Sequence, residues 1–256
     1  MGWNEAMQYL RAGMVREPQR ADLDLPLGAR IGSVVTLQQS PLLRAAADGA
    51  LITPPEARET RIVAVSQLRL RQSGGLYRYY LSTGDADGNE KFLQVYQDPQ
   101  GQVAEVLYCT QLARVIPQTA EDQDAFMGSK GAGLGDRSYT LWRSQMGGLR
   151  DEADLDHVFG HDHGLDFWRD AGDPHTDFIP PFEGSEVRLD DALGQRGLRQ
   201  SLYYMPYVRA LRGGGQEYLL ITTEIVHSVN GDASKRGIHV DFVVGIPLEL
   251  ERIAIQ

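Results

Sequence analysis

Four of the six histidines in this 256-residue chain, His157, His161, His163 and His175, fall within nineteen residues. Asp156, Asp162, Asp166, Asp173 and Asp177 lie among them. Imidazole and carboxylate together make donor sets that suit zinc, manganese or iron. His157, His161, His163, Asp166 and His175 are therefore the candidate metal ligands. The competing reading is a solvated polar loop whose imidazoles take metal only adventitiously, and under it no cofactor is expected.

The finer match is poor. His161-Asp162-His163 with Asp166 resembles the metallo-β-lactamase pattern of two histidines, an aspartate and a further histidine. Here the aspartate comes one place late, Phe167 stands where the next histidine belongs, and no strand is evident before the motif. Asp85, Asp87 and Asn89 alternate around Gly88 before Glu90, but a calcium loop needs a later bidentate acid at set spacing, and a hairpin turn accounts for the segment. Lys130-Gly131-Ala132-Gly133-Leu134-Gly135 is glycine-rich, yet its lysine precedes the glycines and no strand-to-helix junction surrounds it, so it is not a phosphate cradle. No Gly-x-Ser-x-Gly marks a serine hydrolase. Glu224, His227, His239 and Asp241 sit on neighbouring strand-like runs, where a satisfied cross-strand pair is the ordinary outcome.

Two further sets carry recognition rather than reaction chemistry. Tyr77, Tyr79, Tyr80, Tyr96, Tyr203, Tyr204, Tyr207 and Tyr218 form a dense tyrosine group, and tyrosine favours both strands and interfaces. Tyr77, Tyr79, Tyr203 and Tyr207 are its candidate contact residues. Trp3, Met7, Leu10 and Met14 step by four, three and four, an apolar stripe on a short helix over 1–17, for which the readings are docking on the body or a partner, a frayed terminus, and an interfacial membrane helix.

The elements that must position these residues read mostly as strands. Tyr203 to Leu211, Tyr218 to Val229 and Ile238 to Ile246 alternate with period two and are rich in β-branched and aromatic residues; Leu248 to Ile255 follows after Pro247. Upstream, Ala29 to Leu37, Ile62 to Arg71, Leu76 to Leu81, Phe92 to Tyr96 and Val103 to Ile116 have the same character, and Pro41 to Ala50 reads as a short helical turn. Leu70 to Leu81 parallels Leu211 to Leu220, a weak internal echo of two meanders. Between them, 118–149 is glycine-rich and Asp151 to Asp191 is acidic, with 13 Asp/Glu against 2 Arg.

That segment holds the net charge of −10, and the rest of the chain is near neutral. The 22 Arg against 3 Lys look like genomic base bias. No basic face stands out, so nucleic acid is not an expected partner. No run approaches the ~20 apolar residues of a membrane span, and no signal-peptide pattern opens the chain. The single cysteine, Cys109, excludes an internal disulfide and reads as a small buried hydrophobe, consistent with a cytoplasmic location.

Leu25-Pro26-Leu27-Gly28-Ala29-Arg30-Ile31-Gly32-Ser33-Val34-Val35, Phe92-Leu93-Gln94-Val95 and Glu217-Tyr218-Leu219-Leu220-Ile221 resemble the YjfK-like family of uncharacterised bacterial proteins. The resemblance covers roughly Asp22 to Ile255. The family carries no established reaction, so no site residue transfers. The resemblance implies a gene neighbourhood with PspA-type membrane-stress proteins and glutathionylspermidine-synthetase-like enzymes.

The expected fold is α+β and predominantly antiparallel: an N-terminal helix over 1–17, β-meander lobes over 22–117 and 201–256, and an irregular acidic insertion over 118–200. The expected function is a non-enzymatic cytoplasmic interaction module beside envelope-stress proteins, with a protein partner. Its rivals are a metal-dependent protein using the His/Asp cluster, and a binder of a small cationic, polyamine-like ligand.

Overall fold

The alternating runs do form antiparallel strands, and they close on themselves. The computed structural model describes residues 19–71, 74–82, 88–147 and 149–256. The helix expected over 1–17, with Trp3, Met7, Leu10 and Met14, lies outside those residues, as do Asp85 and Asp87. The first hairpins are β2 (Glu59–Leu70), β3 (Gly75–Ser82), β4 (Lys91–Gln97) and β5 (Val103–Val115). The last are β9 (Gly197–Ala210), β10 (Gln216–Val229) and β11 (Gly237–Pro247).

Two junctions turn these hairpins into one ring. β5 pairs with β11, from Val240↔Val115 to Pro247↔Leu107. β8 (Phe182–Leu189) pairs with β2 on one side and β9 on the other. The order β2-β3-β4-β5-β11-β10-β9-β8 then returns to β2, an eight-stranded antiparallel barrel. The predominantly antiparallel fold is as expected, and the arrangement is more specific than two meanders, because an open meander leaves a row of unpaired N–H and C=O groups on each edge and pairing both sets of edges in one ring removes that liability. The stretch expected to be irregular supplies the closing strand.

Alternation sorts the side chains. Ala64, Leu68, Leu76, Tyr80, Phe92, Leu107, Cys109, Leu202, Tyr204, Leu220 and Val243 form one cluster drawn from seven strands of the ring, with Phe182 of β8 packed against it. Only the inside of a closed barrel brings those together. An eight-stranded ring leaves an interior just wide enough for side chains to fill. The opposite parity, including Tyr79, Leu93, Tyr108, Met205, Ile221 and Val244, forms the outer core.

That outer core is roofed by the remaining elements. These are α1 (Ser40–Ala47), the segment Ala50 to Ile52, and α2 (Ala120–Met127), followed by β6 (Ser138–Trp142), α3 (Arg143–Met146), α4 (Glu152–Phe159) and β7 (Gly164–Arg169). α2 starts with a reciprocal cap: the Asp122 N–H donates to Thr119 Oγ1 at 3.0 Å, and the Thr119 N–H donates to Asp122 Oδ2 at 3.2 Å. Such caps contribute roughly 1 kcal/mol. α4 begins with Asp151 accepting from the Asp154 N–H at 2.8 Å. β7 adds to the far half of β9, with β6 as the outermost strand beyond it. At the other end β1 (Val34–Leu37) and β12 (Ile253–Ile255) extend the sheet from β2. No helix among the described residues is long and apolar enough to cross a membrane.

Candidate functional site

The histidine cluster is spread over several elements. His157 lies on α4, where its Nε2 donates to the Ala46 carbonyl at 3.1 Å. His161 and His163 are exposed between α4 and β7, and His175 is exposed in a turn after β7. Asp166 on β7 accepts from Thr140 Oγ1 at 2.6 Å. Among the described residues, no three His, Cys, Asp or Glu side chains converge as a metal site would require.

The tyrosines divide by parity. Tyr79 and Tyr207 are fully buried: Tyr79 Oη donates to the Pro26 carbonyl at 2.9 Å, and Tyr207 Oη accepts from the Gly135 N–H at 2.9 Å. Tyr77 and Tyr203 are half-buried against the outer core. The four therefore do not make one exposed face. His239 faces Glu224 in the β10–β11 register, but Asp241 is taken by Arg114, whose Nε and Nη2 each donate to it at 2.6 Å. His227 turns away and meets Ser201 Oγ at 2.8 Å.

The barrel interior carries an unexpected concentration of charge. Arg78 on β3 is 2% exposed, and its guanidinium reaches across the ring. It donates to Gln94 Oε1 at 3.2 Å and Thr222 Oγ1 at 3.3 Å. Its Nη1 stands 3.9 Å from Glu186 and 4.0 Å from Glu224. Gln94 Nε2 donates to Tyr204 Oη at 3.3 Å, and Gln200 Nε2 donates to Glu186 at 2.7 Å. Arg78 lies over the Phe92 ring at 5.3 Å from its centroid. Burial opposes the charge on Arg78, but Glu186, Tyr80 and Glu224 outweigh it and raise its pKa. A charge so deep survives only because it is paired and hydrogen-bonded on several sides.

Glu224 experiences the opposite balance. Burial, then the neighbouring carboxylates of Asp241 and Glu186, push its pKa up to about 8 against the pull of Arg114 and Arg78. Cys109 is fully buried in the same interior, and burial pushes its thiol up to about 12, which makes it inert.

Above this layer one barrel mouth stays open. A cavity of about 250 Å³ is lined by inward residues of six strands, with Gln94 and Tyr204 toward the charged layer and Tyr96, Tyr218 and Phe182 on its sides. Glu105 and Asp170 also line it, both exposed to solvent. Burial and then Asp170 raise the Glu105 pKa, opposed by a hydrogen bond with Tyr218. The Tyr218 hydroxyl is pushed up to about 12 by burial and by the same two carboxylates. Barrel mouths are common ligand sites, and aromatic walls with paired carboxylates favour a cation.

In the sequence Tyr96, Tyr204 and Tyr218 stand out only as members of a tyrosine group, and Arg78, Glu105 and Asp170 belong to no motif. A signal for Arg78 was present: it falls between Leu76 and Tyr80 at the same parity, a charge on an otherwise apolar strand face. Asp170 carried none, since it enters the mouth from the turn after β7.

The family model described as "Protein of unknown function (DUF2491)" matches residues 7–254. Comparison with curated proteins and with solved structures gave no match.

Proposed function

Because the chain belongs to the DUF2491 family, a family of unknown function, no activity is inherited, and we propose from its geometry that it binds a small organic cation without transforming it. The observation that carries this reading is the barrel mouth, where Glu105 and Asp170 stand at a cavity walled by Tyr96, Tyr218 and Phe182. An ammonium group would sit between the carboxylates, and its alkyl body would lie against the rings, an arrangement worth ~1–2 kcal/mol per desolvated cation–π contact. Arg78 lies deeper, beyond Gln94 and Tyr204, and its positive charge stops the cation from penetrating further. The acidic stretch Asp151 to Asp191 attracts cations at longer range.

The test is thermal stability with spermidine at low and high salt. Spermidine raises Tm at low salt and does so less at high salt, since screening weakens exposed charge pairs. Glu105→Gln with Asp170→Asn lowers the affinity by about tenfold or more. The reading fails if spermidine leaves Tm unchanged at low salt, or if the double variant responds like the parent.

One observation favours a second reading. Trp142 and Trp168 are 50% and 53% exposed beside the outermost strand β6, whose described ladder partner is β7 alone. That edge supports docking of a partner chain as an added strand, and it is the reading that stands if spermidine does not bind. The narrower YjfK-like assignment, with a cytoplasmic setting beside PspA-type membrane-stress proteins, belongs to this proposal. It rests on the segments Leu25 to Val35, Phe92 to Val95 and Glu217 to Ile221.

A further inference from the structure

On the outer wall of the barrel across β2, β8, β9 and β10, a polar groove opens at the edge of the outer core, whose Val65, with Leu25 and Leu189 packed against that core, forms its apolar side. Antiparallel register sets Arg69 opposite Ser185 and Ser185 opposite Ser201. Arg199 lies one pleat along, opposite Val187. His227 occupies the register irregularity in β10, and its Nε2 meets Ser201 Oγ at 2.8 Å. These five residues line a groove of about 520 Å³.

Strand spacing puts the Cα atoms of Arg69 and Arg199 roughly 12 Å apart on one face, within joint reach of a single bound group. Arg69 keeps its guanidinium in the groove through Nη2, which donates to Gln67 Oε1 at 3.3 Å. Among the described residues, neither Arg69 nor Arg199 has an ion pair. Two carboxylates, Asp22 and Glu186, also line the groove, but both are buried and engaged, Asp22 by Arg20 at 2.7 Å and Glu186 by Gln200 at 2.7 Å; Glu183 close by is taken by Arg71 at 2.7 Å. Two unpaired guanidinium groups, two hydroxyls and an imidazole therefore share one groove on a chain of net charge −10.

We propose that this groove binds a phosphoryl-bearing small molecule, with Arg69 and Arg199 flanking the oxyanion and Ser185, Ser201 and His227 hydrogen-bonding its oxygens. Guanidinium groups recognise such oxyanions by charge-assisted, often bidentate hydrogen bonds. The Ser201–His227 contact fixes the ring and leaves Nδ1 available to the ligand. Among the described residues no carboxylate hydrogen-bonds to His227, so the pair is assigned to binding and not to nucleophilic attack. This site stands on the opposite parity of the strands from the barrel mouth and does not depend on cation binding there.

The experiment titrates full-length protein with inorganic phosphate at constant ionic strength set by chloride, following the ring signals of His227 by NMR. The expected result is a saturable shift of His227 that weakens by about tenfold in Arg199→Gln and in Arg69→Gln. Arg30→Gln, an exposed arginine outside the groove, leaves the titration unchanged. A linear response like that of chloride overturns the proposal, as does equal weakening by Arg30→Gln, which marks diffuse attraction. Binding to phosphatidylglycerol vesicles without binding to inorganic phosphate also overturns it. Because both groove arginines are exposed, their variants are expected to keep the parent Tm. A groove variant that loses phosphate binding only together with its fold is replaced by Ser201→Ala, which must then weaken binding for the proposal to stand.

Discussion

Glu224 sits between two arginines and two other carboxylates, and the balance decides its protonation. Arg114 holds Asp241 at 2.6 Å but reaches Glu224 only at 3.5 Å, and Arg78 stands 4.0 Å away, so the cations hold Glu224 loosely while burial and its neighbouring carboxylates favour the protonated form. Its folded pKa of about 8 stands above the unfolded value, so the folded state binds the extra proton between the two. Stability from this group is full below the unfolded pKa and is lost as pH rises through about 8, with a slope of at most ~1.4 kcal/mol per pH unit. His239 runs the other way, because burial and then Arg114 lower its pKa, but it is common to parent and variant. Glu224→Gln mimics the protonated acid. Denaturant midpoints between pH 5 and 8.5 should therefore fall more steeply for the parent than for Glu224→Gln, by on the order of 2 kcal/mol over the range. Parallel curves would show that Glu224 is ionised throughout.

At the level of elements, β8 is both the closing strand and the one the sequence concealed. The runs Tyr218 to Val229, Ile62 to Arg71 and Val103 to Ile116 fall close to β10, β2 and β5 because they alternate apolar inward residues with the opposite parity. β8 does not: its inward positions are Phe182, Gly184, Glu186 and Arg188, so the usual contrast is inverted, and the strand reads as part of an acidic loop. The same inversion hid the charged interior, since Glu186 becomes intelligible only opposite Arg78 on β3. At the C-terminus, Leu248 to Ile255 reads as one strand but breaks into a 3-10 turn, Leu250–Arg252, before β12. β8 also owes its fit to a glycine. A β-carbon at Gly184 would stand 2.4 Å from the Arg69 carbonyl on β2, where Leu70 pairs with Gly184. Gly184→Val must force the β2–β8 seam apart, and overpacking of this kind costs ~1–3 kcal/mol. Thermal melts should show Tm lowered by on the order of 5 °C, whereas Gly147→Ala, whose nearest neighbour is 3.7 Å away, should stay within about 1 °C. Equal melts for the two variants would mean that the seam yields without cost.

For the molecule as a whole, closure changes what counts as a folding unit. If 22–117 and 201–256 were separate meanders, each would keep its own core, and the segment between them would be a connection. In the barrel neither has one alone: the interior cluster draws Leu68, Tyr80, Phe92 and Cys109 from the first stretch and Leu202, Tyr204, Leu220 and Val243 from the second. Arg78 from the first stretch has its acids, Glu186 and Glu224, on β8 and β10. A fragment of 22–117 would expose the inward faces of four strands and strand an unpaired buried arginine, a loss that contact burial within the fragment cannot offset. The intact chain should therefore unfold in one calorimetric transition, with the van't Hoff enthalpy equal to the measured one. Fragments 22–117 and 201–256 prepared separately should give the narrow amide proton dispersion of unfolded chains. Two resolved transitions, or a dispersed spectrum from 22–117 alone, would show that the ring is assembled from independent halves and that the charge layer around Arg78 forms only at their docking.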